Sequence, residues 1–198
     1  MSKKTNKKEA EKCYKTGEDY GAKGDAEGAI KWWKKTIELD PEYFLAWYNL
    51  GNVYFWGKED LENAFEHWEK ALELKPDDID LNYNMGNAYK ELKQNDKAIE
   101  CYKRLVKKAP KDHEAWNNMA VAYLQKGDNE QAIANWEKAV KIKPDKIESW
   151  FNMAVTYYKT NEFKKALDCC NKCLEIKPEA TIVHQLINSI KMKQAESE

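Results

Sequence analysis

Polar and apolar positions along this chain repeat in long blocks rather than in one continuous hydrophobic pattern. Prolines fall at Pro41, Pro76, Pro110, Pro144 and Pro178, spaced by 35, 34, 34 and 34 residues. A fixed period of this length is the mark of a repeat architecture. Aligned on the prolines, an alanine row appears (Ala29, Ala64, Ala98, Ala132, Ala166), and so does a tyrosine row (Tyr20, Tyr54, Tyr89, Tyr123, Tyr157). A small-residue row reads Gly17, Gly51, Gly86, Ala120, Ala154. A row of mostly large residues reads Cys13, Trp47, Asn82, Trp116, Trp150, and a ring row reads Trp33, Trp68, Tyr102, Trp136, with Cys170 last. After Pro178, the residues Ile182, Val183, Leu186, Ile187 and Ile190 share one helical face.

The rows, and the segments WYNLGNVY and AFEHWEKALELKP that carry them, resemble the tetratricopeptide repeat (TPR). The resemblance implies an all-α fold, a right-handed superhelical solenoid of antiparallel helix pairs. Five repeats are expected at 10–43, 44–78, 79–112, 113–146 and 147–180. A flexible segment is expected at 1–9 and a capping helix at 181–198. Small rows let helix axes approach and ring rows fill the space between them. Proline ends each second helix. Gly24, Gly57 and Gly127 are expected in the turns at positive φ, with Asn161 as the tolerated substitute. The second repeat has one extra residue between Tyr54 and Ala64, which predicts a longer turn in GKEDLEN.

Composition narrows the chemistry. With 33 basic and 34 acidic side chains the formal charge is −1, which gives no reason to expect nucleic acid or an anionic membrane as partner. No apolar run is long enough to span a bilayer. Five cysteines without a small disulfide framework point to reduced thiols in a cytoplasmic setting. Cys169, Cys170 and Cys173, with His184 after them, are the one cluster suited to metal or redox chemistry. Their places in the repeat rows make them small core residues instead. Cys101 and Cys169 share a mixed row with Trp32, His67 and Asn135, read as half-exposed helix surface. The stretch KRLVKKAPK (103–111) reads as a solvated face of a second helix. No triad spacing or phosphate loop is present, so no catalysis and no cofactor are expected.

The function-bearing surface is what the repeat rows leave over. On a helix at about 100° per residue, the segment WYNLGNVYFW places Trp47, Leu50, Gly51 and Tyr54 on the structural face. Tyr48, Asn49, Asn52, Phe55 and Trp56 lie opposite, joined by Leu45. The resemblance implies that such first-helix positions line a concave groove binding an extended peptide or a partner helix. By the same alignment the groove takes in Tyr14, Tyr83, Asn84, Asn87, Asn117, Asn118, Val121, Leu124, Phe151, Asn152, Val155 and Tyr158. The row Asn49, Asn84, Asn118, Asn152 resembles the peptide-holding asparagine ladder in the repeats of O-linked N-acetylglucosamine transferase; the alternative is bonding between repeats. Family members that bind acidic chaperone tails use a clamp of groove Lys, Asn and Arg. Here those places hold Tyr14, Glu18, Asp80 and Asn84, so a clamp-type adaptor is not expected. The function expected is a non-enzymatic protein–protein interaction scaffold. The alternative is a self-associating scaffold in which a terminal helix or repeat docks into another copy.

Overall fold

The computed structural model describes residues 3–195. The helices are α1 (Lys3–Ala22), α2 (Ala26–Leu39), α3 (Phe44–Asn52), α4 (Leu61–Leu74), α5 (Ile79–Glu91) and α6 (Asn95–Lys108). They continue as α7 (His113–Lys126), α8 (Asn129–Ile142), α9 (Ile147–Lys159), α10 (Phe163–Ile176) and α11 (Thr181–Ala195). Among the described residues there is no strand. Helix α1 begins at Lys3, so residues 3–9 of the segment expected to be flexible are helical; Met1 and Ser2 lie outside the described residues. Of the expected capping helix, Thr181–Ala195 is helical, and residues 196–198 lie outside the description.

The chain divides into two compact units, one ending at Met85 and the other starting at Gly86. In the first unit Trp33, Ala29, Ile30, Ala46 and Leu50 close one core. Gly51 is there because a Cβ would fall inside the indole of Trp68, which is fully buried. In the second unit the core runs from Ala120 and Trp136 through Met153, Cys170 and Cys173 to Val183 and Ile190 of α11. Helix α11 thereby covers the apolar side of α9 and α10.

Two recurring bonds set the helix ends. The carbonyl of each row tyrosine accepts the N–H of the residue preceding the second helix: Tyr20 from Asp25, Tyr89 from Gln94, Tyr123 from Asp128 and Tyr157 from Glu162. Asp25, Asp60 and Asp128 then cap α2, α4 and α8, each accepting from a backbone N–H three residues on. The second bond answers the proline row. Trp47 Nε1 donates to the Pro41 carbonyl at 2.8 Å, and Trp116 and Trp150 donate to Pro110 and Pro144 at 3.0 Å. Asn82 Nδ2 does the same to Pro76 at 2.9 Å. His184 Nε2 meets Pro178 O at 2.9 Å, and because a carbonyl only accepts, Nε2 carries the proton.

The extra residue of the second repeat does not lengthen the turn. It is absorbed inside the first helix, where Val53–Gly57 forms a π-helical turn directly after α3. A single inserted residue in a helix characteristically becomes such a bulge. The tyrosine closure accordingly spans one more residue here, from Asp60 N–H to Tyr54 O at 2.9 Å. Gly57 therefore does not take positive φ; Glu59 does, at 54°. Gly24, Gly127 and Asn161 adopt the left-handed conformation as expected, and Lys93, at φ 58°, takes it in the third repeat.

Candidate functional site

The site is built on the first helices of the repeats. In the first unit, α3 and its π-turn present Leu45 and Trp56 to solvent, with Trp56 59% exposed. The π-turn winds more slowly than an α-helix and so rotates Phe55 toward the core face. Phe55 turns inward and is buried, its ring 5.2 Å from Trp68 and 4.5 Å from Trp56. Phe55 is therefore core, not groove surface. Tyr14 is also buried, and only its hydroxyl takes part in polar contacts. Tyr48, Asn49, Asn52, Tyr83 and Asn84 are half-buried.

The asparagines are tied into the protein. Asn49 Nδ2 donates to the Tyr14 hydroxyl at 3.0 Å. Asn84 Nδ2 donates to the Tyr48 hydroxyl at 2.8 Å and to Asn52 Oδ1 at 3.3 Å. Asn52 Oδ1 also accepts the indole N–H of Trp68 at 3.1 Å. Burial raises the Tyr48 and Tyr14 phenols above their ordinary range, so both are neutral donors and acceptors at physiological pH. Between α1, α2 and the π-turn lies a cleft of about 530 Å³, lined by Glu18, Gly21, Trp33, Asn49, Asn52, Val53, Trp56 and Gly57.

In the second unit Asn87, Asn117, Asn118, Val121, Leu124, Phe151, Asn152, Val155 and Tyr158 are half-buried. Asn118 Nδ2 donates to Asn87 Oδ1 at 3.3 Å, and its own Oδ1 accepts from Lys90 Nζ at 3.0 Å. Burial lowers the pKa of Lys90. Asn87 Oδ1 further accepts the Tyr102 hydroxyl at 2.6 Å. Asn117 is structural, its Oδ1 accepting from Trp136 Nε1 at 3.1 Å and Ser149 Oγ at 3.0 Å. Val121, Leu124, Phe151 and Tyr158 pack partly against the core. Tyr158 carries the chain's own Lys193 from α11, with Nζ 5.0 Å from its ring centre, so that ring is taken.

The cysteines are core residues. Cys170 and Cys173 are fully buried and Cys169 nearly so. Burial pushes the thiols of Cys169 and Cys173 up to about 12 and that of Cys170 to about 11, the opposite of an activated thiolate. Among the described residues no group of three or more His, Cys, Asp or Glu is placed to hold a metal ion. The row expected to be half-exposed is buried at Cys101, Cys169, His67 and Asn135. His67 shows why: its ring packs between Trp47 at 5.6 Å and Tyr54 at 5.2 Å, with Nδ1 2.6 Å from Asn63 O. In the basic stretch Arg104 pairs with Glu100, and Lys103 stands over Tyr123. No helix is long and apolar enough to cross a membrane among the described residues.

The sequence matches the profile of the cytochrome c-type biogenesis protein H TPR domain over residues 34–146 and that of the tetratricopeptide repeat over 147–179. A curated relative, uncharacterized protein MJ0572 of Methanocaldococcus jannaschii, is 50% identical over 44 residues, 22% of this chain; the chain spans 51% of that relative's length. Among solved structures, the MamA protein superposes with a TM-score of 0.77 at 24% identity, covering 87% of this chain and 93% of that one. YrrB, described as a TPR protein with an unusual peptide-binding site, gives 0.77 at 25% identity, covering 87% and 89%. MamA from Desulfovibrio magneticus RS-1 gives 0.74 at 21% identity, covering 86% and 96%. With the helix pairs, the proline-carbonyl bonds and these matches together, the chain belongs to the tetratricopeptide repeat family.

Proposed function

We propose that this chain is a non-enzymatic protein-interaction scaffold whose first-helix faces hold an extended peptide segment or a partner helix. The observation that carries the reading is Trp56, 59% exposed at the rim of a cleft flanked by two carboxamides. An exposed tryptophan beside a concavity is the usual anchor of a protein interface. Asn49 and Asn84 still have capacity to pair with a peptide backbone. An amide has two donors and an acceptor, and the bonds above use only N–H groups of these two residues. Asn118 is engaged through both its amide nitrogen and its oxygen, so the ladder reading rests mainly on Asn49, Asn84 and Asn152. The likeness to YrrB supports peptide as the class of partner.

The test starts from a peptide selected by display against the purified protein. Changing Trp56 to Ala is expected to weaken its binding by about fivefold or more, the loss of roughly 1 kcal/mol typical of an anchor. Changing Asn49 and Asn84 to Ala weakens it further. Affinity unmoved by both changes overturns the groove. One observation favours a second reading, self-association. Ile182 and Met192 of α11 are 58% and 67% exposed, and analytical ultracentrifugation over a range of concentrations decides whether copies associate. A reducing, cytoplasmic compartment suits the five free, buried thiols, and cell fractionation tests it.

A further inference from the structure

The cleft beside Trp56 has a chemical bias. Its lining holds one ionisable group, the carboxylate of Glu18, against the indole of Trp56 and the apolar wall of Val53. Glu18 Oε1 accepts the Tyr14 hydroxyl at 3.0 Å, which fixes the carboxylate without neutralising it. The lysines nearby are committed elsewhere: Lys15 pairs with Glu11 and Lys58 with Glu27. Elsewhere the protein places its own lysines on its rings, for example Lys138 over Trp116 at 4.2 Å and Lys75 over Phe44 at 4.3 Å. Among the described residues no such lysine stands over Trp56. An electron-rich indole and a carboxylate thus face one cleft; Lys15 acts on Glu18 through space but bonds Glu11, and among the described residues no salt bridge to Glu18 is made.

We infer that this cleft holds an arginine side chain of the bound segment, with lysine as a weaker substitute. The guanidinium would lie against Trp56, the ring type that attracts cations most strongly. Its fork would donate to Glu18, and to the Oδ1 of Asn49 at the cleft wall. The inference rests on the peptide-binding reading above and specifies what the first unit reads. It reverses the charge sense of a groove built for acidic tails.

The test uses three acetylated, amidated pentapeptides, Ala-Ala-X-Ala-Ala, with X as arginine, leucine or glutamate. They are titrated into the full-length, isotopically labelled protein and followed by the Trp56 indole and Gly57 amide resonances. The arginine peptide is expected to move both resonances and to bind about fivefold or more tightly than the leucine peptide, from the sum of a cation–π contact and an ion pair. The glutamate peptide binds least. E18Q keeps an oxygen for Tyr14, so it preserves the fold while lowering the arginine preference to what the Trp56 contact alone supplies; added salt weakens the arginine peptide alone. Equal affinity for arginine and leucine, or a preference that E18Q leaves undiminished, overturns the arginine pocket and leaves the groove standing. A display-selected peptide that binds this cleft while none of the three does also overturns the pocket. Failure of every peptide, selected ones included, removes the groove and the pocket together.

Discussion

At the residue scale, Gly51 and Glu18 show how single positions carry the repeat. A Cβ at Gly51 would enter the Trp68 indole, a fully buried ring with no room to swing. G51A gains helix propensity yet is expected to lose about 1–3 kcal/mol net through overpacking. A lower urea midpoint with an unchanged slope is the expected signature. Glu18 occupies the place filled by Asn52 in the second repeat, where that asparagine accepts from Trp68. Its counterpart, the indole N–H of Trp33, is buried without a partner. E18N therefore offers Trp33 an acceptor and is expected to raise stability by about 1 kcal/mol. A lower midpoint would show that the Tyr14–Glu18 bond matters more than the orphaned indole. The same change removes the one carboxylate in the cleft's lining, so greater stability should come with a reduced arginine preference.

At the element scale, the first repeat is expected to be the weakest. Gly17 sits in the interior of α1, where glycine costs roughly 1 kcal/mol of helix propensity against alanine, and Gly21 and Gly28 loosen the end turns of α1 and α2. Amide exchange in α1 is expected to be faster than in α9, and equal protection would defeat the expectation. Most of the element pattern was legible beforehand, because a row that repeats five times averages out local accidents. The π-turn was not legible. An insertion between Tyr54 and Ala64 shows only as a changed spacing. Whether it widens the turn or the helix depends on which packing gives way, and the closure of Tyr54 on Asp60 shows that the helix did. Phe55 was misassigned for the same reason, since about 100° per residue no longer holds through Val53–Gly57. The asparagine row follows from the repeat spacing alone. Its bonds to Tyr14, Tyr48 and Asn87 depend on which side chains of neighbouring helices meet it, and periodicity does not specify that.

At the scale of the whole molecule, the buried thiols set an alkaline limit. In the unfolded chain a cysteine titrates near 9.0, whereas Cys169 and Cys173 titrate near 12 in the fold because burial disfavours the thiolate. Between those values the native state holds protons that the unfolded state has lost, so stability falls as pH rises. The contribution is whole below pH 9 and gone above 12. Urea midpoints measured at pH 7, 9 and 10.5 should decline across the last interval, and replacing Cys169 and Cys173 by alanine should flatten that decline even at a lower baseline. A thiol reagent at pH 8 should label these positions only as fast as the second unit opens.

The bond from Trp47, Asn82, Trp116, Trp150 and His184 to a proline carbonyl carries a lesson about what a sequence position encodes. An indole, a carboxamide and an imidazole share neither volume nor hydropathy. They share an N–H that reaches back six residues. A substitution table would score Trp, Asn and His as drift, and would rank phenylalanine as the mild replacement for tryptophan. At this place the ranking inverts: phenylalanine keeps the size and leaves the carbonyl without its donor, while asparagine gives up the size and keeps the bond. The position is written in hydrogens, and Cys13, the one member of the row with no proline six residues before it, is free to be something else.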